Sequence, residues 1–135
     1  MNTEKSIQEI ENNYWTDLSE YPTSLVERCH TYRKIKVKDL QIHQINTLLI
    51  QDIGSDILIP LVLKQMEQNI TEEDEYDGSC FFRSMKHFSV EIWKRNPQYY
   101  IRLIEIIKDN KNKIESEWGL KIYDRELYKL ENKIN

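Results

Sequence analysis

The stretch Ile50–Met66, IQDIGSDILIPLVLKQM, limits the possible folds more than any other part of the chain. Its apolar run, Ile57–Leu63, is interrupted only by Pro60. A segment apolar on every side cannot lie on a surface and must be enclosed by the rest of the chain. A short apolar run also suits a buried strand, but Pro60 would remove a ladder donor from a central strand. As a helix the segment is well made. Ser55 or Asp56 supplies an N-cap, and a proline at the end of the first turn lacks an N–H that has little helical use there. The sequence therefore predicts a core helix over Asp56–Gln68, with Gly54 closing the preceding helix in a left-handed C′ conformation.

Helical periodicity sets the remaining elements around it. Ile7, Ile10, Tyr14 and Trp15 form one apolar stripe over Lys5–Trp15. Asp17–Pro22 reads as a loop. Ser24 and Glu27 form a capping box for a second helix with Leu25, Cys29 and Tyr32 inward. Tyr32–Lys38 alternates basic and apolar residues without an evident partner strand and is expected to be an extended connector. Ile42, Ile45, Leu48, Leu49 and Ile53 mark a third helix. Asn69–Asp77 is a polar loop. Gly78 opens a short helix with Phe81, Phe82 and Met85, and Ser89 caps another with Val90, Ile92 and Trp93. Asn96 followed by Pro97 is an N-cap with proline at N1, predicting a helix to about Glu117 that Gly119 stops. Tyr123, Leu127, Leu130 and Ile134 give the inner face of a last helix. With three glycines and three prolines in 135 residues, the chain has too little punctuation for a strand-and-turn protein. The expectation is all-α: residues 1–135 as a single-domain bundle of about seven or eight helices around a buried central one.

Several chemistries find no footing. Cys29, His30, His43, Cys80 and His87 are the soft ligands, and none forms a CxxC or HxxxH pair of the kind zinc sites use. No metal and no cofactor are expected. Cys80 and His87 are seven residues apart, roughly 10 Å along one helix, too far for a nucleophile and its base; a small enzyme working through Cys80 stays a minor reading. Gly78 placed at the sixth position of a calcium loop puts Ser84 at the twelfth, where a bidentate Glu is required. The opening MNTEKSIQEIENNY lacks an apolar signal region, and no apolar stretch approaches the ~18 residues of a membrane span. A reducing cytoplasm and no membrane partner are the expectation.

Charge is unevenly placed. Residues 1–77 carry 15 acidic and 7 basic side chains, a net of −8, whereas residues 78–135 carry 8 and 12, a net of +4. Glu72, Glu73, Asp74, Glu75 and Asp77 form the densest acidic run, with no base among them. Arg33, Lys34, Lys36 and Lys38 could touch phosphate, which supports an alternative as a small helical RNA-binding regulator; a solvated edge or an internal partner for the acidic half is the plainer role. A helix-turn-helix around Gly54 would present Ile57–Leu63, which has no polar side chain for base edges. The residues alone describe a helical binding module whose acidic loop is the foremost contact.

The order of segments resembles the helical immunity proteins of bacterial contact-dependent growth inhibition, the CdiI family. IQEIENNYW at Ile7–Trp15 is similar to the family's opening, and SLVERCHTYRKIKVKDL at Ser24–Leu40 to its second helix and connector. LLIQDIGSDILIPLVL at Leu48–Leu63 matches a central LI-x-Q-x-IG…LIPLAL stretch through Gln51, Gly54, Pro60 and Leu61. Tyr76–Gly78 resembles Y-x-G-D-L-L, and Trp93–Pro97 resembles W-x-x-N-P. The likeness spans about residues 5–108. Lys36 stands where the family tends to have Pro, Val62 where it has Ala, and Ser79, Cys80 and Phe81 replace its Asp-Leu-Leu. The resemblance implies a protein without catalysis of its own that binds the C-terminal toxin domain of a CdiA effector in a 1:1 complex. A nuclease toxin is expected, an EndoU-like RNase first, with no nucleic acid bound by the immunity protein itself. The toxin-contacting residues expected on this reading are Glu72, Glu73, Asp74, Glu75, Tyr76 and Asp77. Tyr76 is either an outward anchor or an inward prop for its own loop, whereas Trp15, Phe82 and Trp93 fall on apolar stripes and belong to the core.

Overall fold

A computed structural model describes residues 2–134. Nine α-helices lie among the described residues: α1 Ile7–Glu11, α2 Ser24–Tyr32, α3 Ile42–Ile50, α4 Ser55–Gln68, α5 Phe81–Ser84, α6 Val90–Arg95, α7 Pro97–Asp109, α8 Lys111–Trp118 and α9 Leu120–Ile134. Short 3-10 turns occupy Val37–Asp39 and Met85–His87. The fold is all-α, as the patterning indicates.

The central helix is α4. Leu58, Ile59, Val62, Leu63 and Met66 are buried, each contributing about 1.5–3 kcal/mol by leaving water. Its neighbours are α7, α3 and α5. Enclosure is incomplete: Ile57 and Leu61 are half-buried, and Lys64 and Glu67 are exposed. Pro60 sits deeper than expected, because the helix is capped at Gly54. The carbonyl of Asp56 therefore loses its i+4 partner, at an exposed residue where water can serve it.

The α3–α4 turn also departs from expectation. Asp52, not Gly54, takes the left-handed C′ position, with φ +56°. The Ile53 N–H donates to Leu48 O at 2.9 Å and the Asp52 N–H to Leu49 O at 3.2 Å, a Schellman closure. Gly54 is left-handed too, φ +64°, as the N-cap of α4. A Cβ there would lie 2.9 Å from Ile7 Cδ1, so glycine is what lets α1 press onto this turn. The Asp52 carboxylate accepts from both Arg95 guanidinium nitrogens, at 2.7 and 2.8 Å, and from Ser55 Oγ at 2.6 Å, tying the turn to the end of α6.

Further boundaries differ, among them the start of α5, which lies at Phe81 behind the Cys80 cap rather than at Gly78. α1 ends at Glu11, short of Trp15, because Asn12 turns left-handed at φ +51°; Ser6 and Glu9 form its capping box. The cap of α2 is Thr23, whose side chain accepts from the Val26 N–H, rather than Ser24. The connector finds a partner after all, a single antiparallel bridge between Lys36 and Ser6. The helix begun at Pro97 breaks at Asn110, and α8 and α9 fold back as a hairpin against α6 and the Met85–His87 turn. There the Trp118 ring stacks on Phe82, centroids 5.6 Å apart, and the fully buried Glu126 meets Lys86 Nζ at 3.0 Å. Phe82 and Trp93 are core residues, and Trp15 packs half-buried against the core.

Candidate functional site

The acidic loop between α4 and α5 is held from inside by one of its own carboxylates. Asp74 is 6% exposed. Its Oδ2 accepts from the His43 backbone N–H and from His43 Nδ1, both at 2.9 Å. Its Oδ1 accepts from the Tyr76 N–H at 2.7 Å and the Asp77 N–H at 3.2 Å. The Asp74 main chain closes the loop as well: its N–H donates to Ser79 O at 2.7 Å, and its carbonyl accepts from Gly78 N–H at 2.8 Å. Burial by itself would raise the Asp74 carboxyl. The backbone and ring donors of His43, with the Tyr76 and Asp77 amides, outweigh it and hold the group at about 2. Ile70 and Cys80, both buried, anchor the two ends of the loop.

With Asp74 inside, the other acidic side chains face out. Glu72, Glu73, Glu75 and Asp77 are exposed. Among the described residues no lysine or arginine pairs with the loop's carboxylates, and the ring contact of Asp74 is with His43 Nδ1. Glu72 accepts a hydrogen bond from Gln65 on α4. Tyr76 is 80% exposed, and its ring lies against His43 with centroids 4.8 Å apart. His43 meets Tyr32 edge-on from another side, at 6.4 Å. Tyr76 is thus an outward aromatic set on a small support, in a loop that also exposes four carboxylates. Five of the six loop residues expected at a contact are presented, and Asp74 instead fixes the shape that presents them. Sequence reasoning did not find His43, since its partner lies 31 residues away and no local motif links the two.

Beside the loop runs an open groove of about 460 Å³, lined by residues of α4, the N-terminal part of α3 and the Val37–Asp39 turn together with Glu72–Glu75.

The other candidates are absorbed by the fold. Arg33 is 1% exposed; it pairs with Glu11 at 3.2 Å, donates to Asn13 O at 2.7 Å, and its guanidinium lies 4.1 Å from the centre of the Trp15 ring. Lys34 pairs with Asp17, and Lys36 and Lys38 share Glu4 at 3.8 and 3.0 Å. The basic segment is therefore matched internally, and the RNA-binding alternative gains nothing from the geometry. Cys80 is buried as the N-cap of α5, its sulfur accepting from the Arg83 N–H at 3.4 Å, and burial pushes its thiol above the ordinary range; a reactive thiolate needs the opposite. Among the described residues no three His, Cys, Asp or Glu side chains group as metal ligands would, and no helix is long and apolar enough to cross a membrane.

Comparison with known proteins points to a family. The sequence profile of the CDI immunity proteins covers residues 9–103, from α1 into α7, so that the remainder of α7 and the α8–α9 hairpin lie beyond it. No curated protein and no solved structure matches the chain. Immunity proteins of this family bind a cognate CdiA toxin domain and neutralise it, and they are generally not enzymes. A match over more than half of the chain, in the segment order described above, settles the classification: this chain belongs to the CDI immunity proteins of contact-dependent growth inhibition.

Proposed function

We propose that the protein blocks the C-terminal toxin domain of its CdiA-type effector in a 1:1 complex in the cytoplasm, without catalysis of its own, and that the Glu72–Asp77 loop is the principal contact. The toxin is a nuclease in this reading, an EndoU-like RNase first. The observation that carries it is the set of four outward carboxylates and an exposed Tyr76 on one loop, braced by the buried Asp74. Nucleases grip phosphate with clefts lined by lysine and arginine. A rigid anionic loop of this kind matches such a cleft, speeds association and disfavours other partners. Charge alone seldom reaches a nanomolar complex, which needs about 12 kcal/mol. Tyr76 supplies the aromatic anchor that such interfaces concentrate their energy on.

The test is co-expression of the chain with the tagged toxin domain of its cognate effector, reading both co-purification and growth. A stable complex with growth rescue is expected. A folded toxin that neither binds the chain nor is silenced by it overturns the proposal.

A further inference from the structure

The groove beside the loop is not explained by an acidic contact. Much of its lining is apolar: Ile45, Val62 and Phe81 are buried, while Leu40, Ile42 and Leu61 are half-buried. At about 460 Å³ it falls in the range of cavities that enclose a ligand, and exceeds what one leucine or phenylalanine side chain needs. Its lining is unevenly charged. Glu72, Glu73 and Glu75 belong to it and are exposed, with no cation on them among the described residues. The rest of the polar lining includes the neutral Thr3, Gln41 and Gln65, and Lys38, which is 3.0 Å from Glu4. Whatever enters the groove therefore passes an unneutralised negative edge. An acidic segment would meet repulsion, and a neutral one would strip water from three carboxylates without replacing it. A segment carrying lysine or arginine beside an apolar side chain satisfies both halves.

The edge is also fixed in place. Asp74 pins the loop to His43 on α3, so the wall on which the glutamates stand belongs to the folded scaffold and need not be ordered on binding.

Resting on the immunity reading, we infer that this groove receives an apolar side chain of the toxin domain, carried on a basic segment whose lysines or arginines pair with Glu72, Glu73 and Glu75. The toxin is then held at two adjoining places: cations on the acidic edge and Tyr76, and an apolar residue in the groove.

The probe is the purified, catalytically inactive C-terminal toxin domain of the cognate effector. A benzophenone side chain at position 61 is photolysed in the complex, and the cross-linked peptide is sequenced. A toxin peptide with an apolar residue within two positions of a lysine or arginine is expected. Leu61→Arg places in the groove a charge of the same sign as the incoming segment, and Leu40→Trp fills the groove. Each variant that keeps the wild-type circular dichroism spectrum should bind at least about tenfold more weakly, and Leu40→Trp serves if Leu61→Arg does not fold. Wild-type affinity in the folded variants, a cross-linked peptide that is acidic or wholly polar, or a cross-link to a second copy of this chain overturns the groove while leaving the immunity reading intact. A wild-type protein that forms no complex overturns both.

Discussion

Asp74 is the residue on which the site turns. It lies within the densest acidic run of the chain, yet it is the one acid there that does not face solvent. Four donors converge on its carboxylate, and two of them are loop amides that would be left unpaired without it. Asp74→Ala should lower the free energy of unfolding by about 2 kcal/mol, measured by urea titration at pH 7. The effect has a defined pH dependence. The folded carboxyl titrates at about 2 against an ordinary value of 3.8. A depressed carboxylate stabilises the fold above its unfolded value and loses that contribution as pH falls through its folded value. The gap between wild type and Asp74→Ala should be full above pH 4 and shrink steadily toward pH 2. A gap independent of pH would mean that the ionised carboxylate is not what holds the loop.

At the scale of elements, the turns carry the specificity. Gly54 and Gly78 both have positive φ, +64° and +73°, but a Cβ on Gly54 would strike Ile7, whereas one on Gly78 would meet nothing within 4 Å. Gly78→Ala should therefore cost only the backbone strain of about 1–2 kcal/mol, and Gly54→Ala about 1–3 kcal/mol more from overpacking. Equal denaturant midpoints for the two variants would show that α1 yields freely at this contact. The same turns explain how far the sequence could be read. The start of α7 was legible because Asn96-Pro97 is a local signal, and α4 was legible because its apolar run admits few alternatives. The break at Asn110 was not, since neither glycine nor proline marks it; there the Asn110 amide donates to Ile106 O at 2.8 Å, a local bond within an otherwise helical pattern. The stripe through Tyr14 and Trp15 suggested a longer α1, but Trp15 serves instead as a face for Arg33, a contact across 18 residues that periodicity does not encode. For the site, the charge of the loop was visible in the sequence. The inward turn of Asp74, the support under Tyr76 and the adjoining groove all depend on α3 or α4 and appear only with tertiary structure.

Across the whole molecule, the matched region ends within α7, and the α8–α9 hairpin packs against α6 and the Met85–His87 turn. The hairpin is held by Trp118 on Phe82 and by Glu126, which is fully buried with Lys86 at 3.0 Å and Arg83 at 3.8 Å. Removing the nearer cation leaves a buried carboxylate poorly matched, so Lys86→Met should cost up to about 3 kcal/mol in chemical unfolding; a loss below about 0.5 kcal/mol would show that the hairpin docks by apolar contact alone. This basic, C-terminal part braces the fold, while the acidic N-terminal part presents Glu72, Glu73, Glu75, Tyr76 and Asp77 to solvent. That division of labour is the central claim, and the most direct measurement of it is toxin affinity after reversing the four outward charges to lysine while sparing Asp74. The combined Glu72→Lys, Glu73→Lys, Glu75→Lys and Asp77→Lys variant should keep wild-type helicity, bind the toxin domain on the order of a hundredfold more weakly, and lose most of the salt dependence of association. Unchanged affinity and unchanged salt dependence in a folded variant would contradict the account and place the toxin on another face of the protein.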